Sequence, residues 1–223
     1  MIPRSILLAE AIGTGVLLAV IVGSGWAVEQ LGAPPASQLF IHAVVVGTGL
    51  GVAIAMFLPI SGAQFNPAVT LALLARRSLE TVAAMQIMMA QLIGGFAGLA
   101  VANLTFASEF MAVASIERGG PGRFVGEVFA TFGLVLVILL LVDTGRETSI
   151  PVAVGAWVTT IIVATVSTGF ANPVVTIARV FTDSYTGIEP GSAAPFVVAQ
   201  LLGAALAVGA AAVFNTERKA ANV

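Results

Sequence analysis

The chain has 223 residues, of which 58% are hydrophobic and only 9% charged, with a formal net charge of −2. Mean hydropathy is +1.05, so there is too little charge to cover a soluble domain and no basic excess that would draw a nucleic-acid partner. The absence of cysteine excludes disulfides, thiolate metal centres and cysteine nucleophiles.

In chain order, the nearly uncharged stretches 11–28, 39–58, 85–104, 124–142, 151–168 and 196–214 are each about 18–22 residues long, enough to cross roughly 30 Å of hydrocarbon. The first lacks the positive leader and separate cleavage site of a signal peptide, so it is expected to remain as a span. It carries Glu10, followed four residues later by Thr14. The second holds the chain's one histidine, His42. After it, LPISGAQFNPAVTLALLARR (58–77) predicts an interruption. Pro59, Ser61 and Gly62 are expected to break the helix, with Asn66 capping a new one and Pro67 as its first residue. The apolar run 67–75 then spans about 14 Å, half a bilayer, before Arg76 and Arg77 return the chain to the surface. The third span contains AQLIGG (90–95), and the fourth contains Glu127 and, four residues on, Thr131. Beyond the fifth comes GFANPVVTIARV (169–180), where Asn172 is expected to cap a short helix from Pro173 to about Thr182. The last span includes AQLLGA (199–204).

The order Glu helix, Asn-Pro segment, Ala-Gln-Leu helix therefore occurs twice. AEAIGTGVLL (9–18) pairs with GEVFATFGLV (126–135), and AQFNPAVTLALL (63–74) with GFANPVVTIARV. Three spans per half make the second half enter the membrane from the opposite side. The predicted fold is an all-α polytopic membrane protein: six transmembrane helices plus two re-entrant half-helices in an inverted 3+3 repeat. It forms one channel domain, 1–223, with repeats of approximately 1–110 and 120–223. Irregular backbone at membrane depth has to be buried in protein or line a water-filled cavity. Two half-helices meeting N-terminus to N-terminus thus imply a central pathway, with converging positive dipole ends and two Asn amides left as donors. That combination favours small neutral hydrogen-bonding solutes over cations and protons. Orientation follows the basic residues. Arg4, Arg76, Arg77, Arg146, Arg218 and Lys219 fall on one side and Arg118, Arg123 and Arg179 on the other, so both termini are expected in the cytoplasm.

SGAQFNPAVTLALL (61–74) is very similar to the first signature of the major intrinsic protein family, the aquaporins and aquaglyceroporins. The Glu-x-x-x-Thr and Ala-Gln-Leu pairs resemble that family too, so the resemblance covers nearly the whole chain. It implies a passive channel with a pore in each subunit of a homotetramer, no cofactor and no bound metal. By match to the motifs, Asn66, Pro67, Ala68, Asn172, Pro173 and Val174 form the central constriction. Glu10 and Glu127 accept hydrogen bonds from the two re-entrant loops, the competing role being proton carriage in a coupled transporter. Gln91 and Gln200 support the same loops.

The second signature departs from the pattern. The family usually has Arg where this chain has Val175, and usually an aromatic where it has Val46. On the fifth helix the filter position falls between Thr160 and Ile162, with Ile162 preferred. A filter of Val46, Ile162 and Val175 is wide and apolar, less penalising for a solute with carbon surface than for bare water. Arg179 comes four residues after Val175, about 6 Å along the helix and about 40° around it. Its readings are an ion pair with Asp183 at i+4, solute recognition in the outer vestibule, and a filter role. His42, one turn outside Val46, is either a vestibule residue or an interfacial histidine.

The expected function is a passive channel for small uncharged solutes, closer to the glycerol-conducting kind: glycerol, neutral metalloid hydroxides such as arsenous acid, and water. A water-selective aquaporin with an atypical filter is the alternative, and an inverted-repeat secondary transporter a more distant one. No enzyme is expected. The short termini and compact loops suit a multi-pass bacterial inner-membrane protein whose partners are the lipid bilayer, small neutral solutes and water.

Overall fold

A computed structural model describes residues 2–221, and for 218–221 the helical backbone alone; Arg218 and Lys219, counted above for orientation, lie outside the described side chains. Eight α-helices follow in order: α1 Arg4–Gln30, α2 Pro35–Ser61, α3 Pro67–Ala75, α4 Thr81–Thr105, α5 Pro121–Asp143, α6 Ile150–Ala164, α7 Pro173–Ala178 and α8 Pro190–Ala221. All but α3 and α7 are long and apolar enough to span a membrane, α6 with the help of the short 3-10 turn before it. The short pair, α3 and α7, are the half-helices.

The solvent logic is that of lipid. Val152 is 77% exposed and Val125 and Ile93 each 64%, whereas Glu10, Gln91, Glu127 and Gln200 are fully buried. A bilayer accepts the first set, and only internal hydrogen bonds can support the second. In each half, the helix carrying the glutamate packs along the helix carrying Ala-Gln-Leu: α1 with α4, and α5 with α8. Glycine makes that approach possible. A Cβ on Gly94 would fall 1.9 Å from the Ala11 carbonyl oxygen, and one on Gly203 would fall 2.4 Å from that of Val128. These pairs occupy corresponding places in the two Ala-Gln-Leu segments.

Three local expectations change. Helix α2 runs through Pro59 to Ser61 and stops only at Gly62, which adopts a left-handed φ of 81° and donates its N–H to the Leu58 carbonyl at 3.1 Å. A proline this close to the end removes one hydrogen bond without stopping the helix, whereas glycine supplies the conformation that ends it. Helix α6 ends at Ala164, short of the expected 168, because Thr165 becomes extended and opens the second loop. Helix α7 is α-helical only to Ala178, tightens to a 3-10 turn over Arg179–Phe181, and becomes extended at Thr182.

The candidate pore and its outer constriction

The two re-entrant loops are built alike, residue for residue. Left-handed backbone occurs four, three and one positions before each capping asparagine: Gly62, Ala63 (φ 47°) and Phe65 (φ 49°) in the first loop, Thr168, Gly169 and Ala171 (φ 49°) in the second. For residues other than glycine this conformation costs about 1–2 kcal/mol each. The alternation turns neighbouring N–H groups to one side, forming an anion-binding concavity, and a buried glutamate fills each. Glu10 accepts from Gln64 N (2.9 Å), Phe65 N (2.8 Å), Ser61 Oγ (2.7 Å) and Gln91 Nε2 (2.9 Å). Glu127 accepts from Phe170 N (2.9 Å), Ala171 N (2.9 Å) and Gln200 Nε2 (2.6 Å), with Ser167 in the place corresponding to Ser61. Gln91 and Gln200 also donate to Thr70 and Thr176 in the half-helices. Every carboxylate oxygen is engaged by loop or glutamine donors, an arrangement suited to holding backbone rather than carrying protons.

Asn66 and Asn172 cap α3 and α7 through their side-chain oxygens. Their amide nitrogens cross the midline reciprocally: Asn66 Nδ2 donates to the Ala171 carbonyl at 2.7 Å and Asn172 Nδ2 to that of Phe65 at 2.8 Å. The expectation of two free donor amides is therefore halved. Each Nδ2 carries two N–H groups; one joins the loops and the other is left for the cavity that both residues line.

That cavity, about 450 Å³, extends from Glu147 and Val142 at one end to His42 and Arg179 at the other. Its walls differ in chemistry. Leu50, Ile54, Leu134, Ile138, Val154 and Val158 form the apolar side, and the two loops with Asn66 and Asn172 form the polar one. Val46, Ile162 and Val175 all line it toward the His42 and Arg179 end, each 3% exposed or less. Ala68 and Val174 are buried beside the junction, and Pro67 and Pro173 begin their half-helices. Among the described residues no group of three or more His, Asp or Glu could hold a metal.

Arg179 does not pair with Asp183. The aspartate lies beyond the last helical turn, off the face that an i+4 pair needs, and its carboxylate accepts from the backbone and hydroxyl of Ser115, each at 2.8 Å. The arginine instead folds back toward the start of α7, as helical side chains lean. Its guanidinium carbon lies 3.4 Å from the centre of the Phe170 ring, and Nε donates to the Thr186 carbonyl. His42 is 3% exposed and lies in the same cavity, with Nδ1 2.8 Å from Ser24 Oγ and the ring edge-on to Tyr185; it is an interior residue rather than an interfacial one.

Two residues near this end, Arg118 and Tyr185, escaped the sequence reading. Arg118, counted only as a loop charge, donates to the carbonyls of Gly187 (2.7 Å) and Tyr185 (2.9 Å) and lies 5.3 Å from the Phe170 ring. Burial pushes its pKa down to about 10, opposed by Tyr185, so it remains cationic at neutral pH. Burial raises the Tyr185 phenol, which stays neutral. Nothing in the sequence joins these groups, because Arg118 and its carbonyl partners are nearly 70 residues apart.

The sequence matches the family described as Major intrinsic protein over residues 4–170. The chain belongs to the major intrinsic protein family. It is 42% identical over 202 residues to Aquaglyceroporin AqpS of Rhizobium meliloti (strain 1021), covering 90% of this chain and 85% of that protein. Identity to Aquaporin-2 of Rattus norvegicus is 36% over 144 residues, 62% of this chain and 52% of that one. With Aquaporin-8 of Botryotinia fuckeliana (strain B05.10) it is 34% over 123 residues, 53% and 38%. This major intrinsic protein is thus a membrane-spanning channel for water and small solutes, and not an enzyme. The family match ends two residues before Asn172.

Proposed function

We propose that the protein is a passive channel of the aquaglyceroporin kind, conducting glycerol and neutral metalloid hydroxides such as arsenous acid together with water. The observation that carries this reading is the two-faced cavity, with Val46, Ile162 and Val175 as its outer ring. A polyol lays its carbon edge against such a wall and directs its hydroxyls to the loops, whereas water stripped of its shell gains nothing from three branched aliphatic side chains. The similarity to an aquaglyceroporin supports the same reading.

Stopped-flow light scattering on proteoliposomes tests it. Wild-type protein admits glycerol rapidly, and Val175→Arg lowers glycerol permeability relative to water by about tenfold or more, the order that small changes in pocket volume produce. Water flow without glycerol uptake in the wild type rejects the proposal in favour of a water-selective channel. The guanidinium of Arg179 on Phe170, inside the same cavity, is the observation that favours that second reading.

In this reading the channel is a multi-pass protein of the bacterial inner membrane with both termini in the cytoplasm. It is a homotetramer, and its inverted repeats run approximately 1–110 and 120–223. Light scattering of the detergent-solubilised protein measures the oligomer, and a monomer mass rejects it.

A further inference from the structure

His42 and Arg179 have complementary hydrogen-bonding capacity. Ser24 Oγ donates to the Ile21 carbonyl at 2.9 Å and also lies 2.8 Å from His42 Nδ1. A hydroxyl has one proton. With that proton on the carbonyl, Nδ1 carries the hydrogen, donates to Ser24 and leaves Nε2 as an acceptor; with it on Nδ1, Nε2 carries the hydrogen. Nε2 has no partner among the described residues, and the ring lines the cavity. Arg179 is 3% exposed, and only its Nε is bonded; Nη1 and Nη2 have no hydrogen-bond partner among the described residues. No carboxylate pairs with it either, since the ion pair found among the described residues is Arg76–Asp143. The guanidinium and the imidazole line the same cavity. A cation buried this deeply with unused donors, in one cavity with an imidazole nitrogen that has no partner, is an incomplete hydrogen-bond set.

We propose that His42 Nε2 and the Arg179 guanidinium form a hydroxyl-recognition subsite at the outer end of the pore, one turn outside Val46, for small neutral polyhydroxy solutes. The solute oxygen accepts from Nη of Arg179 and its O–H donates to Nε2 of His42. Phe170 holds the guanidinium in a fixed plane, and Ser24 holds the imidazole in the tautomer that accepts. The polar contact that Val175 cannot supply is thereby supplied by His42 and Arg179, residues that the family's second signature does not include. The subsite draws on the aquaglyceroporin-like reading only for its solute class, and its test is separable from that reading.

The test is osmotic water flow through phosphatidylcholine–phosphatidylglycerol proteoliposomes, with glycerol present at equal concentration on both sides, compared with glycerol uptake by the same vesicles. Glycerol seated in the subsite slows wild-type water flow. His42→Leu weakens that inhibition about tenfold, the effect of one neutral hydrogen bond, while His42→Gln, which keeps an acceptor, retains most of it. Dimethyl sulfoxide, which accepts but cannot donate, slows wild-type flow less than glycerol at equal concentration; this comparison needs no variant to fold. Equal inhibition by the two solutes, or equal behaviour of His42→Leu and wild type, overturns the subsite. Inhibition that His42→Leu relieves, in vesicles that take up no glycerol, upholds the subsite and rejects the glycerol-channel reading.

Discussion

At the scale of single residues, the central chemistry is two buried carboxylates holding two strained loops. Phe65 and Ala171 adopt left-handed backbone, a conformation that neither side chain favours. They do so because their N–H groups then reach Glu10 and Glu127 at 2.8 and 2.9 Å. Replacing Glu127 by Gln sets an amide NH2 against one of two backbone donors and leaves that donor without an acceptor, a loss of about 1–3 kcal/mol. Its expected result is a lower unfolding temperature in detergent, followed by the fluorescence of Trp26 and Trp157, together with reduced solute flow. An unchanged transition would mean that the loop holds its shape without the carboxylate. The family resemblance set Glu10 and Glu127 against the loops, and their repetition favoured that role over proton carriage. It gave no hint of the left-handed residues, because backbone conformation at Phe65 is set by a partner 55 positions away.

Elements meet where their side chains allow backbones to touch. Gly98 shows this for α1 and α4: a Cβ there would lie 1.9 Å from the Gly15 carbonyl oxygen, whereas one on Gly209 in α8 would meet nothing within 4 Å. Gly98→Ala is therefore expected to destabilise the protein by about 1–3 kcal/mol through overpacking, and Gly209→Ala to be neutral or slightly stabilising. Thermal unfolding of the two variants side by side checks this, and similar losses in both would reject the packing argument. The half-helix starts were legible as Asn-Pro, where a cap and a preset φ coincide. The ends were less so. Pro59 looked like a terminator and is not, and α7 turned out too short to bring Asp183 beneath Arg179.

Across the whole molecule, the hydrogen-bonding pattern recurs from one half to the other. Ser61, Glu10, Gln91 and Thr70 around the first loop correspond to Ser167, Glu127, Gln200 and Thr176 around the second. In an inverted arrangement with cytoplasmic termini, the exposed turn at Ser78 faces inward and the exposed loop at Glu109 faces outward. The chain has no cysteine, so Ser78→Cys and Glu109→Cys each introduce a single thiol. In intact cells a membrane-impermeant maleimide is expected to label Glu109→Cys and to reach Ser78→Cys only after the membrane is opened. The opposite pattern would invert the topology.

The sequence by itself determined the solvent, the number of spans, the position of both broken helices and the family. Each of these follows from composition or from short-range pattern: apolar length, Asn-Pro capping, and motifs that recur in the same order. Only the tertiary structure decided the end of the cavity where His42 and Arg179 lie. Counting along the chain reached Val46, Ile162 and Val175, which line the cavity, but not the direction of Arg179, because its side chain follows Phe170 and the Thr186 carbonyl rather than its place in the helix. Arg118 reaches the Phe170 ring only because the loop carrying it folds over residues 185–187. Local pattern specifies where a helix begins. The place where a long charged side chain comes to rest depends on acceptors and rings that the fold brings from elsewhere in the chain.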